Sequence, residues 1–124
     1  MTASYRALQR GPLPWLLACT LPAFGLLAGD PLADQVFVGF ITDTECGPDH
    51  APMRAKSDMG KDDKECTLKC VAKGATFGFV DAQRKHFFQL DDQDLPRPFA
   101  GEKVRIVGRI EGDTILVTRI SATE

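Results

Sequence analysis

Three cysteines and one histidine lie within twenty-five residues, and these residue types can bind a metal ion or undergo thiol chemistry. Cys46 and His50 form a Cys-x3-His motif, and Cys66 and Cys70 form a Cys-x3-Cys motif. Four thiolate and imidazole ligands are typical of a tetrahedral zinc site. Met53 and Met59 lie between the motifs, and a set with thioethers also suits copper. The spacing predicts a zinc or copper ion held by Cys46, His50, Cys66 and Cys70.

The same cysteines allow two other interpretations. Thiols outside the cytoplasm are usually oxidised, so Cys46 could form a disulfide with Cys66 or Cys70, which would add about 2 to 4 kcal/mol of stability. The domain would then be a disulfide-stabilised module for a peptide, glycan or protein partner. A thiol-redox pair is the weaker alternative, because the spacing is not Cys-x-x-Cys. The sequence contains no Gly-x-Ser-x-Gly motif and no phosphate loop, so we predict no enzyme.

A helix must position the second motif. Asp62 and Asp63 predict its start, because the helix dipole favours acids there, and Gly74 predicts its end. Residues four apart share one helix face, so the two cysteines point the same way. At about 100° per residue, three apolar residues lie on a different side of the helix from the cysteines: Leu68, Val71 and Ala72. This apolar side is predicted to pack on the sheet. The cysteines then face the loop of Cys46 and His50.

The remainder of the pattern is that of short strands, over 36–42, 75–80, 85–90, 103–111 and 114–121. Gly39 fits a strongly curled strand, and Gly112 with Asp113 fits a tight hairpin turn. We therefore predict a mainly β fold, a five-stranded OB-like barrel with a loop-helix insertion at about 43–74 between strands one and two. An open β-sandwich is the alternative architecture.

The first 29 residues have the pattern of a signal peptide, with two arginines before an apolar run from Leu13 to Leu27. Cleavage is predicted near 28–33, which leaves 34–124 as a single domain. The predicted location is periplasmic or secreted, with no transmembrane segment in the mature chain. Cys19 loosely fits a lipoprotein motif, but the apolar run continues past it, so a lipid anchor is not favoured.

Charge and aromatic residues narrow the choice of partners. Without Arg6 and Arg10 the chain has 13 basic and 17 acidic residues, and a net charge of −4 makes nucleic acid a poor partner. His86 shares a strand face with Phe88 and is predicted to be a packed or rim residue. Five aromatic residues are predicted to fill the core: Phe37, Phe77, Phe79, Phe87 and Phe99.

Three segments together resemble a family of small exported bacterial domains of unknown function. The first is Gly39-Phe40-Ile41-Thr42-Asp43-Thr44-Glu45-Cys46-Gly47-Pro48-Asp49-His50, the second is Cys66-Thr67-Leu68-Lys69-Cys70-Val71-Ala72-Lys73-Gly74-Ala75, and the third is an OB-like tail from Phe99 to Gly108. The resemblance implies that five residues belong to one recurring set: Asp43, Cys46, His50, Cys66 and Cys70. We expect Asp43 to orient a ligand from outside the coordination sphere.

Overall fold

The structure is a computed structural model, and it describes residues 29–30, 32–83 and 85–124. The predicted signal peptide at 1–29, with Cys19 in it, lies outside the described residues except for Gly29. No helix in the described part of the chain is long and apolar enough to cross a membrane.

Five strands form a closed sheet in the order β1-β2-β3-β5-β4. Their bounds are Gln35–Asp43 (β1), Phe77–Asp81 (β2), His86–Leu90 (β3), Lys103–Glu111 (β4) and Thr114–Ala122 (β5). All neighbouring pairs are antiparallel except β3 with β5, which is parallel. β1 closes the sheet because its first part pairs with β4 and its last part with β2. The mainly β prediction with five strands is confirmed.

Two helices lie between β1 and β2, at the predicted place of the insertion. They are α1 (Ala51–Arg54) and α2 (Asp63–Ala72). α2 begins as predicted, because the Asp62 side chain accepts a hydrogen bond from the backbone N–H of Glu65 at 2.8 Å. The sequence analysis missed α1, although Pro52 in its first turn is a helix-start signal. A short 3-10 turn, Arg97–Phe99, precedes β4.

The main core lies inside the closed sheet and consists of aromatic and branched aliphatic side chains. Phe37, Phe77 and Phe79 are buried there, as predicted. Phe99 is only partly buried, and it packs against the core. The prediction for Phe87 was wrong, because β3 alternates and Phe88 takes the buried position while Phe87 is half-buried over Gly78.

α2 buries a different face from the one predicted. Leu68 and Val71 pack against the main core, but Ala72 is exposed. The buried residues of the helix are Cys66, Thr67 and Cys70. At about 100° per residue, the buried arc is centred near Thr67, with the cysteines at one edge and Leu68 at the other. Ala72 falls beyond that arc, which is the reason for its exposure.

Replacing Gly39 by alanine should destabilise the fold by about 1 to 3 kcal/mol or more, because the added methyl group cannot be accommodated. The new Cβ would overlap the backbone carbonyl oxygen of Val80 and lie 2.6 Å from Cζ of Phe79. Urea unfolding measures the change. Val36→Ala, at an exposed position of the same strand, is the control. Equal stabilities for the two variants would contradict the close approach of β1 and β2.

Candidate metal centre

A tight turn after β1 places Cys46 over the end of the sheet. Asp43 Oδ1 accepts hydrogen bonds from the backbone N–H groups of Glu45 at 3.0 Å and Cys46 at 2.9 Å. Thr42 Oγ1 donates to the carbonyl oxygen of Gly47 at 2.6 Å. Gly47 has a φ of 57°, a conformation that glycine adopts without strain. The turn is therefore held by side chains of the strand that precedes it.

The three cysteines lie close together, as expected from the shared helix face of Cys66 and Cys70. Cys46 Sγ lies 3.7 Å from Cys66 Sγ and 3.7 Å from Cys70 Sγ. All three sulfur atoms lie within 4.8 Å of one another. Cys66 and Cys70 are buried and Cys46 is half-buried. We call these three residues the thiol triad, and its geometry allows it to hold a metal ion.

A second group shares Cys46 with the triad. Asp43, Cys46 and His50 also have potential ligand atoms within 4.8 Å of one another. His50 Nε2 lies 3.7 Å from Asp43 Oδ2, and both side chains are buried. The five residues that the sequence analysis selected thus form two overlapping groups around one thiol.

The environment of His50 was not predicted. His50 Nε2 lies 2.9 Å from Thr67 Oγ1 and 3.3 Å from Thr42 Oγ1. The hydroxyl proton of Thr42 goes to the carbonyl oxygen of Gly47, so Thr42 Oγ1 faces His50 Nε2 as an acceptor. The two threonines thus occupy the ring nitrogen that faces Asp43. Thr67 directly follows Cys66 in the Cys-x3-Cys motif, and that position is the sequence signal that could have identified it.

The two carboxylate oxygens of Asp43 differ, because only Oδ1 accepts hydrogen bonds from the described residues. Its side chain is fully buried, and no described residue forms a hydrogen bond to Oδ2. A buried acceptor without a partner costs about 1 to 3 kcal/mol, and more when it is charged. The sequence analysis assigned Asp43 a supporting role, yet its Oδ2 is buried in this site with no hydrogen bond from the described residues and with His50 Nε2 at 3.7 Å.

Electrostatics in the site keeps the Asp43 carboxylate charged and favours the neutral thiols of Cys46 and Cys70. Burial alone would raise the pKa of Asp43, but contacts from His50 and from the thiol and backbone of Cys46 outweigh it and lower that pKa. Burial raises the pKa of the Cys46 thiol, and the neighbouring Asp43 raises it further. Burial also raises the pKa of Cys70, with the negative charge of Asp43 acting in the same direction. The thiols would lose their protons on binding a metal ion.

The raised thiol pKa values predict that the metal-free protein loses stability as the pH increases. Unfolded thiols ionise near pH 8.5, while the folded Cys46 and Cys70 resist ionisation. Their contribution is complete below that pH and is lost above it. Urea unfolding of the reduced, metal-free protein at pH 7 and pH 10 measures the decline. Cys46→Ser should show a smaller decline, and an identical one would contradict this assignment.

The predicted alternative of a disulfide is not formed in the structure. All three cysteines of the triad are free thiols. Their separations of 3.7 Å exceed a disulfide bond of about 2.05 Å. Pairing of Cys46 with Cys66 or Cys70 therefore stays a prediction for oxidising conditions.

Methionine side chains extend the triad into a larger group. Met59 is buried with Cys66 and Cys70, and Met53 and Cys46 pack against them. Outside this group, His86 lies at the exposed rim, where its ring centroid is 4.5 Å from that of Phe88. Among the described residues, the thiol, thioether and candidate ligand groups therefore lie on the insertion and at the end of β1.

Comparisons of the chain with models of protein families, with curated proteins and with solved structures give no match.

Proposed function

We propose that this chain is a metal-binding domain in which the thiol triad holds one zinc or copper ion. The observation that carries the proposal is the pair of sulfur separations of 3.7 Å that meet at Cys46. Zinc–sulfur bonds of about 2.3 Å in a tetrahedron place the sulfur atoms about 3.8 Å apart. Two of the three separations in the triad therefore match that spacing, and the third is within 4.8 Å.

The geometry supports Asp43 rather than His50 as the additional ligand. Our sequence-based hypothesis took His50 as a ligand and Asp43 as its support. Asp43 Oδ2 is buried without a hydrogen bond from the described residues, whereas His50 Nε2 lies within 3.3 Å of the hydroxyl oxygens of Thr42 and Thr67. His50 would then orient the carboxylate, since ligating carboxylates are themselves commonly held by outer groups.

The strand order supports our proposal that the fold is of the OB type. An OB fold is a five-stranded Greek-key barrel, and here the fifth strand inserts between β3 and β4. We further propose that the domain belongs to the exported family that its motifs resemble, and that it is not an enzyme. The apolar run at 13–27 supports export to the periplasm or outside the cell.

A combined thiol titration and elemental analysis tests the metal proposal. The full chain carries Cys19→Ser, so that only the triad contributes thiols, and it is purified without reductant and then unfolded. We expect three thiols and one metal ion per chain. One thiol and no metal would instead support the disulfide-stabilised binding module, for which the proximity of Cys46 to both partners is the favourable observation.

A further inference from the structure

Sulfur is unevenly distributed in this molecule. The chain has four cysteines and three methionines, and all except Met1 and Cys19 fall after residue 45. Those five sulfur-containing side chains lie in one cluster: Cys46, Met53, Met59, Cys66 and Cys70. Among the described residues, the buried members of the main core are phenylalanine, isoleucine, leucine, valine and alanine. Methionine is a general filler of irregular cores, so its segregation beside the thiols indicates a role other than filling space.

A cavity of about 450 Å³ opens beside this cluster. Three of its lining residues contribute sulfur, namely Met53, Met59 and Cys70. Its other lining side chains include exposed charged groups, among them Lys56 and Lys73. The cavity thus has a charged rim and a sulfur-containing wall that reaches one thiol of the triad.

The contact of Lys73 with Met59 shows that this thioether can interact with a cation. Lys73 Nζ donates to Met59 Sδ at 3.3 Å and to Asp58 Oδ2 at 2.6 Å. A lone pair of the Met59 sulfur is therefore directed at a positive group in the wall of the cavity. A soft metal cation that replaced the ammonium group would find the same lone pair and the same nearby carboxylate.

We propose that the metal centre binds Cu(I) in preference to zinc, and that the ion reaches the thiol triad through this cavity with Met53 and Met59 as ligands on the way. This inference rests on the proposed metal-binding function. Thioethers are soft ligands that stabilise Cu(I), whereas the usual ligands of zinc are thiolate, imidazole and carboxylate. Binding involves no electron transfer when copper is supplied as Cu(I): copper–sulfur bonds form, and the thiol protons leave to solvent.

The test compares Cu(I) and zinc binding by the reduced full chain with Cys19→Ser, with and without Met53→Leu and Met59→Leu. Copper is supplied as its Cu(I) complex with a chromophoric chelator under ascorbate. We expect the double variant to lose about tenfold or more in Cu(I) affinity or loading rate, as for removal of supporting ligands, while its zinc affinity stays unchanged. Leucine has nearly the volume of methionine, so the fold should tolerate both changes. Lys56→Gln alters the same cavity without removing sulfur and is the matched control.

The outcomes separate this inference from the function it depends on. Cu(I) affinity and loading that are equal in the double variant and the parent would overturn the role of the methionines. Zinc that displaces Cu(I) in direct competition would overturn the metal preference. If the reduced parent binds neither ion, the proposed metal-binding function itself fails.

Discussion

Replacing Cys46 by serine should abolish metal binding, with a loss of affinity of about 100-fold or more. Even removal of an outer group that supports a ligand costs about 10- to 100-fold, and Cys46 would be a ligand itself. Its sulfur lies 3.7 Å from both other sulfurs, and it belongs to both groups of potential ligands. Elemental analysis after dialysis, and competition with a chelator for zinc and Cu(I), measure the loss.

The design of this experiment separates a lost ligand from a lost fold. Cys46 is half-buried, so serine should be tolerated, and circular dichroism of the metal-free variant verifies that. Ser57→Ala changes an exposed residue of the same loop and should bind metal as the parent does. A Cys46→Ser protein that keeps one equivalent of metal at the parent affinity would exclude the thiol triad as the metal site.

Metal loading should raise the unfolding midpoint of the reduced protein by on the order of 15 to 30 °C. An ion that binds only the folded state contributes about 4 kcal/mol when its free concentration is 1,000 times Kd. In a domain of this size each kcal/mol shifts the midpoint by about 4 to 8 °C. The ion would also provide a ligand bond to Asp43 Oδ2, a buried acceptor that receives no hydrogen bond from the described residues. Thermal unfolding before and after addition of a chelator measures the difference.

Three variants show where that stabilisation originates. Cys46→Ser should remove nearly all of it, because the triad is incomplete. Asp43→Asn should remove part of it, since an amide is a weaker ligand than a carboxylate, whereas His50→Gln should remove less if the imidazole only supports Asp43. Identical midpoints with and without metal would contradict the proposal. A midpoint that falls only when reductant is added would support the disulfide instead.

Much of the fold follows from local patterns in the sequence. The strand pattern at 103–111 predicted β4, and the structure has that strand with Val104, Ile106 and Gly108 buried. Asp62 predicted the start of α2, because a cap is a contact within a few residues of chain. The burial of Phe88 in place of Phe87 was missed, although the alternation had already placed Phe88 on the face of Leu90.

The candidate site was predicted in part for the same reason. Two cysteines four residues apart on a helix share a face, whatever that helix packs against, so the approach of Cys66 and Cys70 to Cys46 could be expected. The roles of Asp43 and His50 could not be assigned, since they depend on hydroxyl groups from two separate elements, Thr42 of β1 and Thr67 of α2. The spacing of residues within one segment does not predict which side chains of two distant segments come into contact.

The sequence by itself selected five candidate residues of the site, because residue type and helical periodicity are local properties: Asp43, Cys46, His50, Cys66 and Cys70. It also determined that a mainly β chain carries an insertion between its first two strands. Only the tertiary structure decided that the Cys46 sulfur lies 3.7 Å from the other two sulfurs of the triad. It also decided that Asp43 Oδ2 receives no hydrogen bond from the described residues, and that two methionines line a cavity beside Cys70. Those features arise from the packing of α2 and the 44–62 loop against the end of β1, and packing depends on contacts between residues far apart in the chain.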